Sequence, residues 1–277
     1  MSKKEMSGDK SFGVEALQAD AVSGPAPAAS ELLSTASDPA LTEDMALSLL
    51  KRPELPAEVL EQLAKNAQAL KSRKVKIGLA SHPHTPRHVS VPLARQFYTF
   101  ELMKVALAPA VPADVKVAID DVLIARLKAG TLGERLALAR RASGRVAAAL
   151  LLDVEGTEGR TGQGETGDCK IKNAETVARE TRVMQIALEN PRLTEALVIS
   201  SVLRPVAGAA LVQAVARHAK WSPRREIRAA LLRTEHLSLA RALEFSREIP
   251  DALLPEILAS SRLPEKIKDQ LLREAGK

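Results

Sequence analysis

The sequence predicts an all-α fold, a right-handed α-solenoid of short antiparallel helices, on three observations. Helix-length stretches with one apolar face recur along the chain, proline-marked stops separate them, and the apolar residues are mostly Ala, Leu and Val, with only 2% aromatics. Small and medium aliphatic side chains suit many short, closely packed helices, whereas a β-rich fold would call for more aromatic and β-branched residues. With 45% hydrophobic residues the chain can build a core.

The punctuation has a pattern: Pro, any residue, Leu, Val or Thr, then Pro or Thr. It reads Pro39-Ala-Leu-Thr42, Pro53-Glu-Leu-Pro56, Pro83-His-Thr-Pro86, Pro109-Ala-Val-Pro112 and Pro191-Arg-Leu-Thr194. Looser copies start at Pro205, Ala219, Glu235 and Ser261. Proline ends the preceding helix because it has no amide to donate, and Thr is a good N-cap acceptor. At Thr85-Pro86 the expected arrangement is a Thr cap with Pro at the first helical position. In seven of the nine copies an apolar residue follows six positions on, at Met45, Val59, Val89, Val115, Leu197, Leu211 and Ile267. That residue falls one turn inside the next helix. A helix and turn recurring at such intervals is the mark of a repeat array.

The stretch Leu79-Ala80-Ser81-His82-Pro83-His84-Thr85-Pro86, and more loosely Ala187-Leu188-Glu189-Asn190-Pro191-Arg192-Leu193-Thr194, resembles the leucine-rich repeat variant. Most of the stretch from residue 38 to 275 resembles the wider HEAT-like α-helical repeats. The resemblance implies the fold alone, because these repeats serve many unrelated tasks.

Taken in order, residues 1–36 read as a disordered tail, rich in Ser, Gly, Pro and Ala around Ser23-Gly-Pro-Ala-Pro-Ala-Ala-Ser30. Residues 37–152 form an N-terminal helical-repeat half. In it Val59, Leu60 and Leu63 share a face, Phe97, Tyr98 and Phe100 are expected to plug a gap between helix pairs, and Gly130 and Gly144 break a run of longer helices. Residues 153–173 carry five glycines and almost nothing apolar, and read as a flexible insertion loop. Residues 174–277 form the C-terminal half, ending in a helix from Pro264 with a polar outer face suited to capping an array. Trp221 stands where other copies have Leu or Val, and reads as a packing peg.

No motif pairs a nucleophile with a base, so the chain is not expected to be an enzyme. Gly162-Gln-Gly-Glu-Thr-Gly167 spells GxGxxG, but the fingerprint needs a strand before it and Ala147 to Leu152 reads as helix, so no cofactor is expected. His82, His84 and His88 lack a Cys or carboxylate to complete a metal site and read as turn histidines. The lone Cys169 has no internal partner, no apolar run reaches the length of a spanning helix, and the expected setting is cytoplasmic, away from membranes.

Charge distribution is the functional lead. The net charge is only +6, yet residues 71–145 hold 14 Lys and Arg against 5 Asp and Glu, and residues 204–247 hold 9 against 3. Arg140, Arg141 and Arg145 in the first region and Arg224, Arg225 and Arg228 in the second are the candidate polyanion-binding residues. Arg141 and Arg145 are expected side by side on one helix. The leading expectation is a non-enzymatic repeat scaffold that binds a partner protein through its concave surface. The alternative is a nucleic-acid-binding solenoid, with a resemblance to HEAT-like DNA glycosylases, gripping phosphates through those arginines.

Overall fold

The computed structural model describes residues 29–152, 167–250 and 252–275. Among them there are helices and turns and no strand. The helices are α1 (Ala29–Ser37), α2 (Glu43–Leu50), α3 (Ala57–Lys65), α4 (Arg73–Ser81), α5 (Arg87–Ala94), α6 (Thr99–Leu107), α7 (Ala113–Leu127) and α8 (Leu132–Arg141). They continue as α9 (Gly144–Leu152), α10 (Gly167–Leu188), α11 (Glu195–Val202), α12 (Ala209–Arg217), α13 (Arg225–Leu232), α14 (Leu239–Ser246), α15 (Leu254–Ala259) and α16 (Glu265–Ala275). No described helix is long and apolar enough to cross a membrane.

Most of these helices are two or three turns long, too short to be stable alone, and so depend on packing their apolar stripes. The stripes are i, i+1, i+4 sets such as Val59, Leu60 and Leu63 on α3 or Leu211, Val212 and Val215 on α12, all buried. Each stripe finds its partner at a short distance along the chain. Helices two apart pack together, α1 on α3, then α5 on α7, α7 on α9, α9 on α11 and α11 on α13. The even-numbered helices do the same, α2 on α4 and α8 on α10 among them. One buried cluster extends from Ala36 to Leu271. Hydrogen bonds between turns follow the same alternation, so the turns group into two sets, each called an edge below. The first edge holds the turns that follow odd-numbered helices, and the second those that follow even-numbered ones.

The third residue of the repeated punctuation is buried in all nine copies: Leu41, Leu55, Thr85, Val111, Leu193, Ala207, Trp221, Leu237 and Leu263. The apolar residue six positions on is less uniform, and Met45 is exposed.

A second device, absent from the punctuation pattern, ties the turns together. The residue just after a helix accepts the amide two residues on, and its other polar atom reaches back to a carbonyl of the preceding turn on the same edge. Asn66 Oδ1 accepts from Gln68 while its Nδ2 donates to the carbonyls of Ala36 and Asp38 at 3.0 and 2.8 Å. His82 Nδ1 accepts the His84 amide while Nε2 donates to the carbonyl of Arg52 at 2.8 Å, which sets the neutral tautomer. Asn190 Oδ1 accepts from Arg192 while Nδ2 donates to the carbonyls of Ala139 and Ala142 at 2.8 and 3.2 Å. These back-bonds span 28 to 30 residues at Asn66 and His82 and 48 to 51 at Asn190, whose interval contains residues 153–166, outside the described ones. Asn190→Ala would strand two buried carbonyls and an amide, so a loss of about 2–3 kcal/mol is expected in denaturant unfolding. Asn190→Asp restores the acceptor but not the donors and is expected to rescue little.

Several expectations are corrected. Helix α1 occupies 29–37, inside the stretch read as tail to residue 36, because Leu32, Leu33 and Ala36 share a face that packs on the core. Residues 1–28 lie outside the described ones. Helix α10 begins at Gly167, so the loop reading of 153–173 overlaps its first turns. Thr85 is not a cap: Pro86 holds the N-cap position, and the buried Thr85 hydroxyl donates to the carbonyl of Leu79 at 2.6 Å. Of the aromatic trio only Phe97 is buried, whereas Tyr98 and Phe100 are exposed. The Arg73 guanidinium lies 3.8 Å from the centre of the Tyr98 ring. Arg141 ends α8 and Arg145 belongs to α9, so they are not neighbours on one helix.

Candidate functional site

The six arginines singled out above come together through the turn-to-turn bonds of the second edge. Arg140 and Arg141 close α8, and Arg145 lies in the first turn of α9. The turn after α10 is held against this one by Asn190 and by Arg192, whose guanidinium donates to the carbonyl of Arg141 at 3.0 Å. The turn after α12 is held in its turn by Trp221, whose buried indole N–H donates to the carbonyl of Leu188 at 2.8 Å. Arg224 and Arg225 open α13 beside it, and Arg228 bonds back to the carbonyl of Ser222. Both arginine clusters therefore occupy one edge, with a single turn between them.

They are not equally available. Arg145 is neutralised by Asp121 at 2.7 Å and Arg224 by Glu195 at 2.6 Å, while Arg228 pairs with Glu248 and lies over Phe245. Arg140, Arg141 and Arg225 are exposed and form no ion pair among the described residues. The same edge adds Arg192, Arg217, Lys220 and Arg247, exposed and likewise without an ion pair among the described residues. The sequence did hold a signal for two of them, since Arg192 and Lys220 fill the variable second position of the repeated punctuation.

Helix stability accounts for some of this charge but not all of it. Arg140, Arg141 and Arg217 end their helices, where a cation offsets the carbonyl end of the helix dipole. Arg225 is the opposite case. It stands at the first position of α13, where the same dipole disfavours a cation, and although Glu226 follows it in that turn, Arg225 forms no ion pair among the described residues.

Trp221 is the packing peg expected of it. Lys220 and Arg224 lie over its buried ring, 4.2 and 5.2 Å from the centroid, so the indole offers no stacking face to a ligand. The histidines serve the turns. His82 and His84 bond the carbonyls of Arg52 and Leu55, and His88 lies 3.4 Å from Glu61. Burial holds the His82 imidazole below its ordinary pKa, against the opposing pull of the Arg52 carbonyl. Of the GxGxxG stretch only Gly167 is among the described residues, and the element before it, α9, is helical.

Asp120 on α7 is buried beside this edge. Its Oδ2 accepts the Ser143 hydroxyl at 2.8 Å, and its Oδ1 has no hydrogen-bond partner among the described residues. Burial raises its pKa above the ordinary 3.8, opposed by the Ser143 bond and the Arg145 charge. Between 3.8 and that raised value the folded state binds more protons than the unfolded one, so Asp120 makes stability fall as pH rises. Asp120→Asn is therefore expected to gain on the wild type from pH 3.8 upward and to hold that gain at neutral pH. Denaturant midpoints of both proteins across the acid range read this, and a gain that shrinks with rising pH contradicts it.

Compared with known proteins, the chain matches no protein-family model, no curated protein and no solved structure.

Proposed function

We propose that this chain is a right-handed α-solenoid, akin to HEAT-like repeats and the leucine-rich repeat variant, working in the cytoplasm as a non-enzymatic scaffold for an acidic partner protein. The packing of helices two apart, repeated along the chain, supports the solenoid. Spin labels at Ser34 and Arg273, with Cys169 replaced, are expected about 60 Å apart for seven pair-to-pair steps of ~9 Å. A separation below ~40 Å removes the solenoid, since steps of that size cannot fold back so far without closing on themselves.

The binding surface is the second edge rather than the concave face anticipated from sequence. Arg225 carries this reading, an exposed cation at a helix start, on an edge where Arg140, Arg141, Arg192 and Arg217 are also exposed and, like it, form no ion pair among the described residues. A guanidinium there is well shaped to donate two parallel hydrogen bonds to a carboxylate. The same row supports a second reading, nucleic-acid binding through phosphates. Titrating the protein with a glutamate-rich peptide and with duplex DNA at several salt concentrations separates them. Peptide binding that weakens with salt, with little for DNA, is expected. Micromolar DNA binding with a steep salt slope favours the second reading, and binding to neither removes both.

A further inference from the structure

The turn from Arg217 to Arg225 lies between two grooves, one lined by two carboxylates and the other by one. One groove, about 210 Å³, runs along α13 and α15 and carries both Glu226 and Glu256 beside Arg225 and Arg233. The other, about 590 Å³, lies between α10 and α12 and ends at Arg217 and His218, with Glu189 as its single lining carboxylate. Its floor is aliphatic, made by Met184 and Leu188 of α10 and Ala210 and Ala214 of α12, and Thr181, Gln185 and Gln213 add polar walls. The two alanines stand one turn apart on one face of α12, and their small side chains leave open a space that larger ones would fill.

We propose that this α10–α12 groove is the anchor point for the acidic partner, and that the partner segment joins a large apolar side chain to a run of carboxylates. The inference rests on the scaffold reading above and deepens it. The apolar side chain enters over Ala210 and Ala214, while the acidic run continues onto Arg217, Lys220 and Arg225 of the adjoining edge. The adjoining edge selects the occupant: the groove reaches Arg217, which with the nearby Lys220 is exposed and forms no ion pair among the described residues, and a volume of this size accommodates a leucine or phenylalanine side chain with part of its backbone. The surface suits a protein segment better than a nucleic acid, because the aliphatic floor has no exposed ring on which a base could stack and Trp221 is buried beneath Lys220 and Arg224.

The test uses the full-length protein and two synthetic peptides of equal charge, one of Glu and Gly alone and one carrying two leucines a helical turn apart before the Glu run. The leucine peptide is expected to bind about tenfold tighter or more, the gain from burying one such side chain. Ala214→Trp, which fills the groove without changing its charge, is expected to abolish that gain and leave the Glu-Gly peptide's affinity as it was. Ala210→Phe provides an independent filling should the first variant unfold, and circular dichroism melting reports folding of each. Arg217→Glu with Arg225→Glu is expected to weaken both peptides. Equal affinity for the two peptides, or a leucine gain that survives a folded groove-filled variant, overturns the anchor while leaving the basic edge intact. Binding of neither peptide overturns the scaffold reading and the anchor together, and binding of duplex DNA alone replaces both with the nucleic-acid reading.

Discussion

Gly144→Ala is expected to destabilise this protein by about 3 kcal/mol or more, at the upper end of what overpacking a core costs. A Cβ at Gly144 would lie 2.3 Å from the carbonyl oxygen of Arg192 and 2.9 Å from Leu197 Cδ1. The first contact is with backbone, so it cannot be relieved by turning a side chain. Relief requires α9 to withdraw from the turn after α10, which is the turn that Asn190 and Arg192 hold against α8. The expected consequence extends past stability, since that turn also positions the two arginine clusters on one edge. Gly133→Ala is the matched control. Its Cβ would meet nothing within 4 Å, and in the first turn of α8 an alanine is expected to be neutral or to gain up to about 1 kcal/mol. Equal melting temperatures for the two variants would contradict the close approach at Gly144.

Trp221→Ala is expected to cost about 3–5 kcal/mol, the range for truncating a large buried aromatic. Trp221 is the largest fully buried side chain, and its indole is the donor that satisfies the carbonyl of Leu188. Trp221→Phe separates the two contributions. It keeps most of the volume and loses the hydrogen bond, so it is expected to fall between wild type and alanine, with a loss of about 1–3 kcal/mol for the stranded carbonyl. Chemical unfolding of the three proteins measures this, and a phenylalanine variant as stable as wild type would deny the indole bond any weight. Trp221 is also expected to be quiet in binding: its fluorescence should respond to unfolding far more than to an acidic peptide, because Lys220 and Arg224 cover the ring.

The two variants probe features of different legibility. Trp221 could be read from the chain because it fills a position where eight other copies of the punctuation place a buried residue, and burial at a helix stop follows from local chain direction. Gly144 could be read only as a break. Its tight contact is with Arg192, and nothing local in either segment marks the two as neighbours. The staple residues Asn66, His82 and Asn190 were missed for the same reason, since each donates to carbonyls 28 residues or more upstream. Tyr98 and Phe100 were misplaced in the core because aromatic content alone does not say which side of a helix start faces solvent.

The sequence by itself determined that the chain is helical, where most helices stop, and that Trp221 turns inward at one of those stops. Those properties are settled within a turn or two of backbone, by proline's missing amide and by the spacing of apolar residues. Only the tertiary structure decided which of the arginines stand together and which are already spoken for. Arg140, Arg141 and Arg225 share an edge because three turns stack through Asn190, Arg192 and Trp221, while Arg145, Arg224 and Arg228 meet carboxylates 20 to 29 residues away. Charge at a distance depends on where helices come to rest on one another, and that is set by packing, not by any pattern local to the charged residues.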